Sequence, residues 1–362
     1  MTLCVALIDG PMYAGLYSFF DDVDVKIVAR ADHPTLNRVV AEMLEAGERI
    51  DVLSTHSKYA PSQRRWLRPL NGTINLDGLA EQAVALCEFQ GVQYCVPRNI
   101  DVRVLWANRS LIDIDHGQVV PATWPELAAS GLAFGFPGRE SGLFGTLFEI
   151  VTAFGGSMFD DDLQPMLDTA VTRDAIECLR VIGSHAPDDL PSWHYDDVDS
   201  ALGDGRVTLA AAWPGGTANL RASRVASDLR PFRYFGGAKG VRSYAGCHAW
   251  AIPITSGDPE GAAELVDSLC EYEAHALDAR SGSVCAHVQA FADAHVLDEV
   301  DAQRRAITAD TIADGMITYP PMERFPEVED AGWSAVREVL VGRLTVGDAA
   351  RAMQSAAEAV LR

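Results

Sequence analysis

The chain has 362 residues, 48% of them hydrophobic and 22% charged, with a formal net charge of -22 at pH 7. That length accommodates two domains of ordinary size, each with a core of its own. So acidic a chain is a poor match for a nucleic-acid backbone or an anionic membrane surface, both of which select lysine and arginine, and a small molecule is the easier partner.

No apolar run reaches the roughly 18 to 20 residues that span a bilayer. The opening MTLCVALIDGPMY has neither the basic region nor the apolar length of a signal peptide, so the expectation is either a cytoplasmic chain or one whose leader has been removed. CVALI (Cys4 to Ile8), closed by Asp9-Gly10-Pro11, predicts a strand, Met12 to Phe20 a helix, and the β-branched VKIVAR (Val25 to Arg30) a second strand. From Leu36 to Glu48 the residues Leu36, Val39, Val40, Met43 and Leu44 share one helical face before Gly47, and Ile50 to Thr55 reads as a third strand. Strand, helix, strand, helix, strand implies parallel pairing, because a parallel crossover needs a helix to cover the sheet. VRVLWANRSL (Val102 to Leu111) then leads into a second α/β unit. LAFGFP (Leu132 to Pro137) reads as a strand entering a helix through LFGTLFEIVTAF, RDAIECLRVIGSH as another helix, and RVTLAAAW as a strand that stops at Trp213 on Pro214-Gly215-Gly216. The stretch from Trp333 to Arg362 reads as helical throughout, with TVGD (Thr345 to Asp348) resembling a capping box.

Signatures of catalysis are missing: there is no Walker loop, GxGxxG, HExxH or GxSxG, and GRESG (Gly138 to Gly142) has the wrong spacing for a nucleophile elbow. FDDDL (Phe159 to Leu163) lacks the alternate spacing of a calcium loop and reads as a solvated turn. Asp196 and Asp197 read as charge favourable to a helix N-terminus. The seven cysteines, Cys4, Cys87, Cys95, Cys178, Cys247, Cys270 and Cys285, include no CxxC. They read as buried free thiols, with one or two disulfides open if the compartment is oxidising; no metal and no cofactor is expected.

Five blocks, in order, carry a family resemblance. They are IDVLSTHSKYAPSQRRWLRPLN, GVQYCVPRNIDVRVLWANRSL, PATWPEL, AFGGSMFDDD and ALGDGRVTLAAAW. Together they resemble the extracellular solute-binding proteins of ABC importers, in the carbohydrate-binding group that includes maltose-binding protein. The resemblance implies a type II periplasmic-binding fold, two α/β lobes joined by crossing hinge strands with a ligand cleft between them. It places 1-107 plus 251-308 in the N-terminal lobe and 108-250 plus 309-362 in the C-terminal lobe, with crossings near Trp106, near Trp250 and near residues 308 to 318.

A sugar presents C-H faces that pack on aromatic rings and hydroxyls that need paired donors and acceptors. The resemblance implies that Trp213 and Trp333 occupy stacking positions of the family and that Trp66 packs, and Trp124 reads as structural. Polar partners are expected at strand ends: Tyr13, His56, Lys58, Asp101 and Arg103 in the first lobe, Arg139, Glu140 and Ser141 at a helix start in the second, and Tyr244 and His248 entering the second crossing. The clustering of Lys58, Arg103, Arg139 and Arg242 favours an acidic or phosphorylated sugar.

The implied mechanism is closure of the lobes on ligand, followed by docking of a monomeric, extracytoplasmic protein on a membrane permease, with no bond made or broken. One rival is a transferase on the same scaffold, similar to thiaminase I, with Cys95 or Cys247 as nucleophile and His248 or Glu140 as base. Another is a soluble receptor that signals to a sensor.

Overall fold

The computed structural model describes residues 1–9, 13–113 and 117–362; Gly10 to Met12, part of the first expected turn and helix, lie outside the described residues. The principal elements of the first half are β1 (Leu3–Ile8), β2 (Val25–Ala31), α1 (His33–Glu45), β3 (Val52–His56), α2 (Glu81–Leu86), β4 (Val96–Pro97) and β5 (Val104–Asn108). Then follow β6 (Phe134–Gly135), α3 (Glu140–Ala153), α4 (Ala170–Gly183), α5 (Tyr195–Gly203), β7 (Leu209–Ala212), β8 (Leu229–Phe232) and β9 (His248–Ala251). The principal helices that follow are α6 (Pro259–Cys270), α7 (Tyr272–Ala279), α8 (Glu299–Asp314), α9 (Phe325–Leu340) and α10 (Val346–Leu361).

The chain divides into two units. Unit 1 holds residues 1–101, 246–295 and 321–323; unit 2 holds 102–245, 296–320 and 324–362. The changeovers fall a few residues before Trp106 and Trp250, and well before residue 308, for reasons of pairing. β5 runs between two strands of unit 2, β9 runs between two strands of unit 1, and α8 packs on β5 and β8.

Unit 1 is built on a five-stranded sheet of order β2-β1-β3-β9-β4. β1 is parallel to β2 and β3, as the helical crossovers require, and β9 is antiparallel to both β3 and β4. Asp32 caps α1 by accepting the Thr35 amide at 2.9 Å, and Leu36, Val40 and Leu44 turn a buried face to the sheet.

Unit 2 has a four-stranded sheet of order β8-β5-β7-β6, with β5 antiparallel to β7 and β8 and β6 parallel to β7. α3 is buried nearly all round. It meets α9 so closely that a Cβ on Gly332 would sit 2.2 Å from Cε2 of Phe144. The expected continuous C-terminal helix is two helices: the chain turns at Gly342, φ +73°, and restarts where Thr345 Oγ1 accepts the Asp348 amide at 3.1 Å. FDDDL is a turn, Asp160 Oδ1 accepting the amides of Asp162 and Gln164.

Gly138 leads from β6 into α3, and a Cβ there would lie 1.9 Å from the Leu190 carbonyl oxygen. Backbone cannot swing aside as a side-chain tip can, so Gly138→Ala is expected to cost about 3 kcal/mol. Urea denaturation checks this, and a loss under about 0.5 kcal/mol would show that the turn has slack.

Candidate ligand site

In unit 1 a polar cluster forms where strand ends meet. The antiparallel register sets His248, first residue of β9, opposite His56, last residue of β3, with their rings edge to face at 5.2 Å. Tyr13 Oη lies 3.2 Å from His248 Nε2, and Asp101 Oδ2 lies 3.4 Å from the same nitrogen. Asn99 ties the group together, donating from Nδ2 to Asp101 at 3.0 Å and accepting the His248 amide at 2.8 Å. Beneath it, Arg98 stacks 4.3 Å over the Tyr13 ring and donates to Asp278 at 2.6 and 3.2 Å. Burial pushes the Asp101 carboxyl up to about 7, opposed by Arg98 and the Asn99 hydrogen bond and reinforced by Asp278. Burial likewise pushes the Tyr17 hydroxyl, beside Tyr13, up to about 12. Lys58, half-buried, places Nζ 4.9 Å over the Tyr59 ring.

In unit 2 the apolar strand β7 ends against Pro214, which leaves Trp213 half-buried at the sheet margin. Tyr244 and Tyr195 meet it edge to face at 6.0 and 6.2 Å, and the Arg103 guanidinium lies 4.9 Å over its ring. Tyr244, from a short strand pairing in parallel with Met316–Ile317, continues the aromatic surface to Tyr319 at 4.5 Å, which packs in turn on Phe148 and Phe325. Among the described residues the buried Tyr319 hydroxyl has no hydrogen-bond partner. Ser141 Oγ and Tyr195 Oη, 3.1 Å apart, add a polar margin.

Arg103 is almost fully enclosed, at 1% exposure. It is 3.2 Å from Glu149 and donates to Thr146 Oγ1 at 2.8 Å and to the Gly142 carbonyl at 3.3 Å. Glu149 also accepts the Tyr234 hydroxyl at 2.9 Å and the Tyr244 amide at 2.8 Å. Burial pushes its carboxyl up to about 7 against the pull of Arg103. This pair supports the aromatic surface from below.

The cations that favoured an acidic ligand are therefore largely engaged: Arg103 with Glu149, Arg139 with Glu140 and the Ser192 carbonyl, and Arg242 with the Val241 carbonyl. Glu140 also contacts His194 at 3.2 Å. Trp333 lies mid-way along α9, its Nε1 donating to Asp330 at 3.2 Å. Trp66 carries the Arg65 guanidinium over its ring, and Trp124 is wholly buried among Phe134, Tyr234 and Phe235. Cys247 is wholly buried, and its Sγ donates to the His248 carbonyl at 3.2 Å. A buried thiol raised above its ordinary range is a poor nucleophile.

Sequence reasoning missed Arg98, Glu149, Tyr195 and Tyr319. Glu149 had a usable signal, an acid among the apolar residues Leu147, Phe148, Ile150 and Val151 in the middle of a helix, which is tolerated only beside a buried cation or donors.

The chain aligns along nearly its whole length with solved solute-binding proteins. MalE3 of T. maritima, with bound maltose, superposes with a TM-score of 0.88 at 19% identity, covering 99% of each chain. An ABC transporter solute-binding protein of Agrobacterium radiobacter, in complex with ribitol, gives 0.86 at 18% over 99% of this chain and 98% of that one. Another, from Thermotoga lettingae with α-D-tagatose, gives 0.86 at 18% over the whole of both. This is the type II periplasmic-binding fold. No protein-family model and no curated protein matches the sequence. The type II periplasmic-binding proteins it resembles are binders of solutes rather than enzymes.

Proposed function

We propose that this chain is the substrate-binding subunit of an ABC importer, capturing an uncharged sugar or polyol outside the cytoplasmic membrane and delivering it to a permease. The observation that carries the reading is the half-buried Trp213 ring, held by Tyr195, Tyr244 and Arg103 beside the Ser141 and Tyr195 hydroxyls. Such a surface suits the alternating C-H faces and hydroxyls of a carbohydrate. The bound sugars and polyols of the similar structures support the same class. The engaged arginines shift the preference from acidic or phosphorylated sugars to neutral ones. The fold also serves a transferase or a sensor's receptor, but the enclosed Cys247 speaks against nucleophilic catalysis. Among the described residues no helix is long and apolar enough to cross a membrane.

A thermal-shift panel of neutral mono- and oligosaccharides, polyols, uronates and sugar phosphates tests this. One neutral class at a hundredfold excess over its Kd is expected to raise Tm by on the order of 5 °C, without turnover. A response to uronates or phosphates alone would keep the binding role and reverse the charge; silence across the panel would remove the carbohydrate reading.

A further inference from the structure

Three cysteines of unit 1 gather beside β9. Cys87 follows α2, Cys95 precedes β4 and Cys247 precedes β9, and their exposures are 2%, 0% and 0%. The sulfur atoms of Cys87 and Cys247 are 3.3 Å apart across 160 residues of sequence, closer than two non-bonded sulfurs ordinarily pack. Neither rides on a free loop. The Cys87 amide donates to the Val84 carbonyl at 3.0 Å. Cys247 donates its amide to Ser57 Oγ at 3.2 Å, and its carbonyl accepts the Ser57 amide at 2.9 Å. The geometry thus brings a helix end and a strand start to bonding approach, with the strand start already fixed to the loop between His56 and Lys58.

We propose that Cys87 and Cys247 form a disulfide when the chain folds in the presence of a disulfide oxidant, fastening the end of α2 to the strand that presents His248. One thiolate of the pair attacks a sulfur of the oxidant disulfide and releases the first oxidant thiol. The other attacks the resulting mixed disulfide and releases the second. The cysteines lose two electrons and two protons, and the oxidant leaves as two thiols. Burial raises both thiols in the folded state, so exchange belongs to folding or transient opening, when thiolate can form. A bond closing so long a loop restricts the unfolded chain strongly. Cys95, whose Sγ approaches the Cys87 carbonyl at 3.9 Å, is the neighbouring competitor.

The test refolds the full chain in glutathione redox buffer and, in parallel, in dithiothreitol. Each sample is alkylated under denaturing conditions, digested without reduction and mapped by mass spectrometry. The glutathione sample is expected to yield a Cys87–Cys247 cross-linked peptide with the other five cysteines alkylated, and a Tm about 5 °C or more above the reduced sample. Cys87→Ala or Cys247→Ala removes that difference, and Cys95→Ala keeps it. Seven alkylated cysteines after refolding in glutathione, or a dominant cross-link through Cys95, overturns the proposal on the wild-type protein alone, whatever the variants do.

Discussion

Arg98→Met is expected to lower stability by about 3 to 5 kcal/mol. Arg98 and Asp278 are enclosed on all sides, at 2% and 0% side-chain exposure, and joined by two hydrogen bonds. Methionine fills much of the volume and removes the charge. The Asp278 carboxylate then keeps only neutral partners such as the Ser283 hydroxyl at 3.0 Å, far less than its desolvation costs. The Arg98→Met/Asp278→Leu double variant is expected to recover most of the loss, because replacing both partners of a buried pair leaves no orphaned charge. Urea denaturation of the three proteins settles the matter. A single variant within about 1 kcal/mol of wild type would mean that water reaches Asp278, and a double variant as unstable as the single would mean that Arg98 acts through packing on Tyr13.

Trp213→Ala is expected to weaken ligand binding by about 30-fold or more, roughly 2 kcal/mol, while changing the Tm of the free protein little. The ring is only half-buried and stands at the margin of its sheet, so its removal leaves no sealed cavity in the core. Trp213→Phe keeps a flat face and should retain part of the affinity. Calorimetric titration with the sugar or polyol found by thermal shift measures both. An unchanged Kd for the alanine variant would return Trp213 to a packing role, and an equal loss for both variants would point to the size of the indole.

Much of unit 1 could be read from the chain because its first half follows local rules. Short apolar runs separated by amphipathic helices lead directly to β1, β2 and β3 and to their parallel pairing. The insertion of β9 between β3 and β4 was not legible, since β4 has only two residues and carries no periodicity of its own. At the C-terminus Gly342 was the overlooked punctuation in an otherwise continuous helical pattern. Within the site, Trp213 could be singled out because Pro214 and two glycines stop its strand at a large ring. Arg98 could not, since its partner stands 180 residues away. The expectation of an acidic ligand rested on counting basic side chains, which says nothing of the carboxylates folded against them, such as Glu149 against Arg103.

The place of β9 in the sheet also bears on how the protein is made. β4 reaches the sheet of unit 1 only through β9, so the outer edge of β3 has no partner until roughly 200 further residues have left the ribosome, about 10 to 40 seconds of synthesis at ordinary rates. Most of unit 2 emerges during that interval. The nascent chain therefore carries an open strand edge while its later half takes shape, the condition under which neighbouring chains pair with one another instead of with themselves. The order of segments along the gene thus places the burden of chaperoning on β3, the strand that ends in His56.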